Sequence, residues 1–104
     1  MVRIEIIGHL GSDAEIKDFQ SNQVINFNVA VSETFTNKTT NEKTTNTIWF
    51  SVQKWGNNTS LAQYLLKGTQ VFIAGKVANR AWIDKDGNAQ ISNGINAFEI
   101  QLLG

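Results

Sequence analysis

The chain reads as an all-β domain: five strands closing a small barrel, with one short α-helix between the third and the fourth. Three observations predict this. Apolar and polar residues alternate in several short runs, the period of strands with one face in a core. One stretch alone, around Leu61, spaces its apolar residues as a helix does. With 104 residues the chain suits one domain, residues 1–104, around a single core, and a sandwich would need more strands.

The first strand, from Val2 to Gly8, sets Val2, Ile4 and Ile6 on one face and ends at a bend in Gly8-His9-Leu10-Gly11. The second runs from Val24 to Phe35, with Ile25, Phe27, Val29 and Val31 inward and Asn26, Asn28, Ala30 and Ser32 outward. Residues 36 to 47 contain no apolar side chain and are expected to form an exposed, mobile hairpin loop. The third strand, Ile48 to Trp55, puts Ile48, Phe50 and Val52 in the core stripe.

The helix follows. Asn57 or Asn58 can cap its N-terminus, Leu61, Tyr64 and Leu65 fall on one side, and Gly68 can close it. A fourth strand begins at Val71 and carries Val71, Ile73 and Val77 on one face, with Lys76, Arg80 and Trp82 on the other. Phe72 breaks that division, and Gly75 is a candidate bulge. Residues 84 to 88, Asp-Lys-Asp-Gly-Asn, form a turn. The last strand runs from about Ile95 to Leu103, with Phe98, Ile100 and Leu102 as its buried set. Five strands with a helix between the third and fourth match the order of an OB-fold.

Composition narrows the functional classes. The absence of cysteine excludes disulfides and thiolate metal sites, and no cofactor is expected. The N-terminal run alternates and is neither a signal peptide nor a membrane span, so a cytoplasmic protein without membrane partners is expected. Catalysis finds no inventory: the single histidine, His9, sits in a glycine-flanked turn with no ligand cluster around it. The stretch Gly68 to Lys76 has the wrong spacing for a phosphate loop, and the turn at Asp84 lacks the remaining ligands of a calcium loop.

The outward face of the third strand points elsewhere. Trp49, Ser51, Gln53 and Trp55 share it, and large indoles beside Ser and Gln have the character of stacking platforms for unpaired nucleobases. Packing against a partner subunit is the competing explanation. Net charge is zero, but its distribution is uneven: residues 1–35 sum to −3, whereas residues 48–85, which hold all three tryptophans, sum to +4. Lys54, Lys67, Lys76, Arg80 and Lys85 belong to that basic stretch, and Arg3 is a further candidate cation.

Five segments, in order, resemble the bacterial single-stranded DNA-binding protein family over essentially the whole chain. They are residues 7–15 (Ile-Gly-His-Leu-Gly-Ser-Asp-Ala-Glu), 27–33 (Phe-Asn-Val-Ala-Val-Ser-Glu), Trp49 to Val52 followed by Trp55-Gly56, Tyr64 to Val71 with Gly75, and Trp82 to Gly87. The resemblance implies four stacking positions, carried here by Phe35, Trp49, Trp55 and Trp82. Strand alternation selects the three tryptophans independently, whereas Phe35 rests on the Ser32-Glu33-Thr34-Phe35 motif. It further implies sequence-independent binding of single-stranded DNA in replication, recombination and repair, with lysines and Arg80 on phosphates. A homo-oligomer is implied as well, a tetramer or alternatively a dimer.

The chain also departs from the family. Only Arg80 remains of the usual basic stretch before the last tryptophan, Glu5 stands at an often apolar position, and Phe50 replaces a common histidine. The sequence stops at Gly104, where family members continue into a flexible tail with an acidic tip, so partners recruited through that tip are not expected. Two other functions fit the same pattern: a dimeric primosomal replication accessory protein, or an OB-type protein-interaction module whose indoles bury in a partner.

Overall fold

The computed structural model describes residues 1–56 and 59–103. Among the described residues eight strands form: β1 (Arg3–Leu10), β2 (Glu15–Phe19), β3 (Asn22–Thr36), β4 (Lys43–Gly56), β5 (Gln70–Val77), β6 (Arg80–Ile83), β7 (Ala89–Ser92) and β8 (Gly94–Leu103). Five of them close the barrel in the order β1-β5-β8-β4-β3, and β1 returns to β3 through His9↔Ala30 and Leu10↔Val29. Only β4 and β8 run parallel; the other barrel pairs are antiparallel. The expected five-stranded barrel is therefore present, with β2 added on β3 and β6–β7 standing out as a separate hairpin.

The alternation read from the sequence sets the core. Leu10, Ile25, Phe27, Val29, Val52, Val71, Ile73 and Ile95 are each no more than 4% exposed and pack in one cluster. Leu65 joins them at 0% exposure and ties the segment after β4 to the barrel. Its carbonyl accepts the Ala14 N–H at 2.9 Å, while Leu10 and the Gly68–Thr69 backbone exchange bonds of 2.8 and 3.0 Å. Asp13 Oδ1 accepts the Lys67 N–H at 2.8 Å, so the acidic turn after β1 holds this same segment.

Four expectations change. The helix is a single 3-10 turn, Ser60–Tyr64, preceded by Thr59, which makes no side-chain capping bond; the proposed caps Asn57 and Asn58 lie outside the described residues. One turn suffices to bring Leu61 and Ala62 onto the core, with Leu65 following directly after it.

The polar stretch after Phe35 is exposed, but half of it is strand and not loop. β3 and β4 stay paired out to Thr36↔Lys43, as β-branched threonines allow, and Thr34 and Thr45 hydroxyls meet at 3.3 Å. The reversal occupies only residues 37–42, where Asn37 Oδ1 accepts the Thr39 N–H at 2.9 Å and Asn41 adopts φ 59°.

The last strand buries Ile95 and Ala97, while Phe98 and Leu102 are 46% and 42% exposed. A register shift sets Phe98 apart: Ala74 pairs with Glu99 but Gly75 with Ala97, so Phe98 is an extra residue on β8, and beyond it Ile100, opposite Ile73, packs against the core as expected. Finally, the fourth strand is two elements, because pairing with β8 ends at Val77 and Arg80 starts a new pairing with Ser92.

Candidate nucleic-acid interface

Pairing across β2, β3 and β4 builds one outward face. Its rows are Lys17, Val24 and Trp55; Glu15, Asn26 and Gln53; then Asn28 beside Ser51 and Ala30 beside Trp49. Trp49 and Trp55 thus stand at the two ends of a short polar strip, 54% and 45% exposed. The β6–β7 hairpin lies alongside. Its Trp82 is 44% exposed, and the Arg80 guanidinium carbon lies 5.8 Å from the Trp82 ring centroid, a cation–π distance.

Trp49 and Trp82 both line a groove of about 510 Å³, which also touches Asn28, Thr47, Ile91 and Ser92. A second hollow of about 250 Å³ adjoins it and shares Ser51, Trp82 and Ser92. Trp55 has a different setting. Its ring centroid is 5.6 Å from that of Phe19, tilted by 48°, and Val24 between their strands is 1% exposed although it lies outside the core cluster. Trp55 therefore covers β3 as well as facing solvent.

Trp49 is held from behind by an absence. A Cβ on Gly11 would come within 2.5 Å of Trp49 Cζ3 and 2.8 Å of Cη2, so the indole occupies the space that a side chain would need. The hairpin bearing Trp82 is fixed at its tip by Asp84. The carboxylate accepts the Asn88 N–H at 2.9 Å, the Asp86 N–H at 3.0 Å and Gln90 Nε2 at 3.0 Å. Those bonds, led by Asn88 and Gln90, hold its carboxyl below the usual carboxylate range.

The remaining predicted residues scatter. Phe35 is 54% exposed on the outer part of the β3–β4 ribbon, opposite Thr44, and alternation places it on the reverse side from Trp49. Lys54 pairs with Ile25 and shares the parity of Val52. Lys76 pairs with Arg3 on the β1–β5 sheet; Arg3 is engaged there with Glu5 at 2.9 Å and stands 4.9 Å over the Phe98 ring. Lys67 is exposed beyond the 3-10 turn, and Lys85 at the β6–β7 tip. Of the six predicted cations, Arg80 alone lines a hollow beside the tryptophans.

Three residues escaped the sequence reading: Phe19, Lys17 and Gly11. β2 went unseen because its turn uses Gln20 at φ 52° in place of the usual Gly or Asn. The alternation of Ile16 against Lys17 and Phe19 was its available signal.

With this geometry in hand, comparison with known proteins is direct. The single-strand binding protein family matches residues 1–103. The chain belongs to that family. A single-stranded DNA-binding protein 1 of Xylella fastidiosa is 33% identical over 104 residues, covering 98% of this chain and 76% of the relative. A protein of the same name from Chlorobaculum tepidum is 37% identical over 105 residues, again covering 98% of this chain but 64% of the relative. This member of the family also shares its fold with a solved Plasmodium falciparum SSB complex with ssDNA. The TM-score is 0.80 at 23% identity, over 100% of this chain and 96% of the other. The small single-stranded DNA-binding protein of Streptomyces coelicolor gives 0.79 at 22% identity, over 97% and 93%.

Proposed function

We propose that this chain binds single-stranded DNA with little regard to sequence and protects it during replication, recombination and repair. The observation that carries the reading is the groove lined by both Trp49 and Trp82, each about half exposed, with neutral polar groups between them. A base stacked on an indole gains roughly 1–3 kcal/mol, and every base offers a π-face. Duplex DNA hides those faces, so the single strand is the partner that gains. The relatives named for this activity support the same reading.

Phosphate contacts fall to Arg80 first, with Lys17, Lys67 and Lys85 as exposed cations on neighbouring elements. Phe35 would meet DNA only where the strand passes around the β3–β4 ribbon, and Lys54, Lys76 and Arg3 only on a longer path. The role is binding without catalysis, in the cytoplasm.

Several copies would join their stacking surfaces and let one strand span them, raising avidity through effective concentration. Two features favour self-association, with a tetramer as the proposed state. β1 pairs with β3 only at its last two residues, leaving one edge of Arg3 to Gly8 without a strand partner among the described residues. Ile7 and Phe98 are exposed on elements of the same sheet.

The test is a titration with oligo-dT while tryptophan fluorescence is followed, at low and high salt, with duplex DNA as control. Strong quenching by the single strand, weakened by salt and absent with duplex, is expected. No quenching at low salt would sink the assignment and favour a protein-interaction module. Light scattering on the free protein reads the oligomeric state in the same samples.

A further inference from the structure

We propose that His9 is a further DNA-contacting residue, whose protonated imidazole takes a backbone phosphate of the strand stacked on Trp49, so that affinity rises as pH falls. This rests on the reading above that the chain binds single-stranded DNA. His9 is the only histidine of the chain, and β1 carries it on a strand, not in the glycine-flanked turn expected from the sequence. Two features of the barrel bring it beside Trp49. His9 pairs with Ala30 and Ala30 with Trp49, so the three share one row on the outward face. Two strand spacings, about 10 Å, separate the outer backbones of that row, and Ala30 between them offers only a methyl group. The indole also leans across this gap: its ring fills the space above Gly11, two residues beyond His9.

The surroundings leave the imidazole available. It is exposed and has no hydrogen-bond or ion-pair partner among the described residues. β3 presents Asn28, Ala30 and Ser32 on this face and β5 presents Gln70 and Phe72, none of them titratable. On β1 the charged neighbours Arg3 and Glu5 lie four residues or more away and bond each other at 2.9 Å. Past Gly11, Asp13 accepts the Lys67 N–H at 2.8 Å. A phosphate therefore meets no carboxylate already paired with His9. The position also complements Arg80. The groove runs from Trp49 toward the β6–β7 hairpin, where Arg80 stands, whereas His9 lies on the opposite flank of Trp49, across β3. A strand stacked on the indole thus has a cation on the hairpin side and, once His9 is protonated, another on the β1 side. Histidine is the side chain whose charge ordinarily changes between about pH 5 and 8. Only its protonated form neutralises a phosphate and releases a counterion.

Oligo-dT titrations followed by tryptophan fluorescence at about pH 8 and about pH 5.5 test this, since thymine has no group that titrates between them. The unaltered protein should bind about fivefold more tightly at the lower pH, the upper end for an exposed ion pair. Its slope of log K against log salt should steepen there by about 0.7. His9→Asn should bind equally at both pH values, and His9→Lys should keep the tighter affinity at both. Circular dichroism checks that each variant is folded at each pH. Proton NMR reads the same event on the single imidazole, whose titration should move to higher pH when oligo-dT is bound. An affinity that does not rise at low pH, with quenching intact, would overturn the role of His9 alone. A rise that persists in His9→Asn, or that tracks a change of oligomeric state in light scattering, would do the same. No quenching at either pH would overturn it together with the reading on which it rests.

Discussion

Gly11→Ala probes how the barrel aims Trp49. Gly11 has no positive φ, so alanine meets no backbone strain, and the only obstacle is the indole itself. The added Cβ would sit 2.5 Å from Trp49 Cζ3, whereas carbon atoms settle at about 3.5 Å or more, so the ring must retreat by roughly 1 Å. At 54% exposure the side chain is free to retreat, which spares the core. Alanine also restricts the unfolded chain, a gain of about 0.4–1 kcal/mol, so the melting temperature should move by only a few degrees. Affinity should suffer more. Complete loss of one stacked base costs about 1–3 kcal/mol, and a displaced ring should lose about 1 kcal/mol, close to fivefold in Kd. The assay is the oligo-dT titration carried through a double-mutant cycle with Trp49→Ala. In the Trp49→Ala background the Gly11→Ala effect should vanish. A loss of equal size in both backgrounds would show that Gly11 does not act through the indole.

Three further outcomes follow from the same geometry. Arg80→Gln should lower the slope of log K against log salt by about 0.7, the share of one phosphate on a single strand, whereas Arg3→Gln should leave it unchanged because Arg3 is engaged with Glu5 and Phe98. Asp84 has a folded pKa below its unfolded value of about 3.9, so its contribution to the hairpin is complete above that pH and is lost as pH falls through the lower, folded value. Hydrogen exchange at the Asn88 amide should report that acid loosening below about pH 4, and Asp84→Asn should abolish the pH dependence. Leu65→Ala, at a fully buried side chain, should cost about 2–5 kcal/mol in urea denaturation; a loss under about 1 kcal/mol would mean that the segment does not pin the barrel.

Strand alternation made most of the barrel legible, because a half-buried strand writes its burial directly into every second residue. Ile25 to Val31 is a plain example, as are Phe50 and Val52, although Ile48 at the start of the same stripe is 38% exposed; the outward set Trp49, Ser51, Gln53, Trp55 follows from the same count. Legibility failed where the count slipped. Phe98 is inserted by a bulge, which no local pattern announces, and the inward parity switches across it, from Ile95 and Ala97 before it to Ile100 beyond. Lys76, Arg80 and Trp82 share parity in the sequence, yet the break after Val77 sends Lys76 to Arg3 and Arg80 to the hollow that adjoins the groove. The apparent basic stretch from Ile48 to Lys85 is consequently dispersed in space.

That dispersal bears on how the surface would hold DNA. With one cation lining the hollows and a formal net charge of zero, phosphate attraction cannot dominate affinity, and the weight shifts to stacking and to the polar strip between the tryptophans. The two elements that supply the indoles are not equally firm. Trp49 stands on a strand paired on both sides of the barrel, braced by Gly11, whereas Trp82 stands on a two-stranded hairpin held at its tip by hydrogen bonds to Asp84. An isolated hairpin is marginal in water. Binding that clamps a base between hairpin and barrel should therefore order β6–β7 more than β3–β4, and hydrogen exchange with and without oligo-dT distinguishes the two. Protection of the Asn88 amide should rise on binding while amides of the core strands stay unchanged. Equal protection of both would mean that the groove is already rigid before DNA arrives.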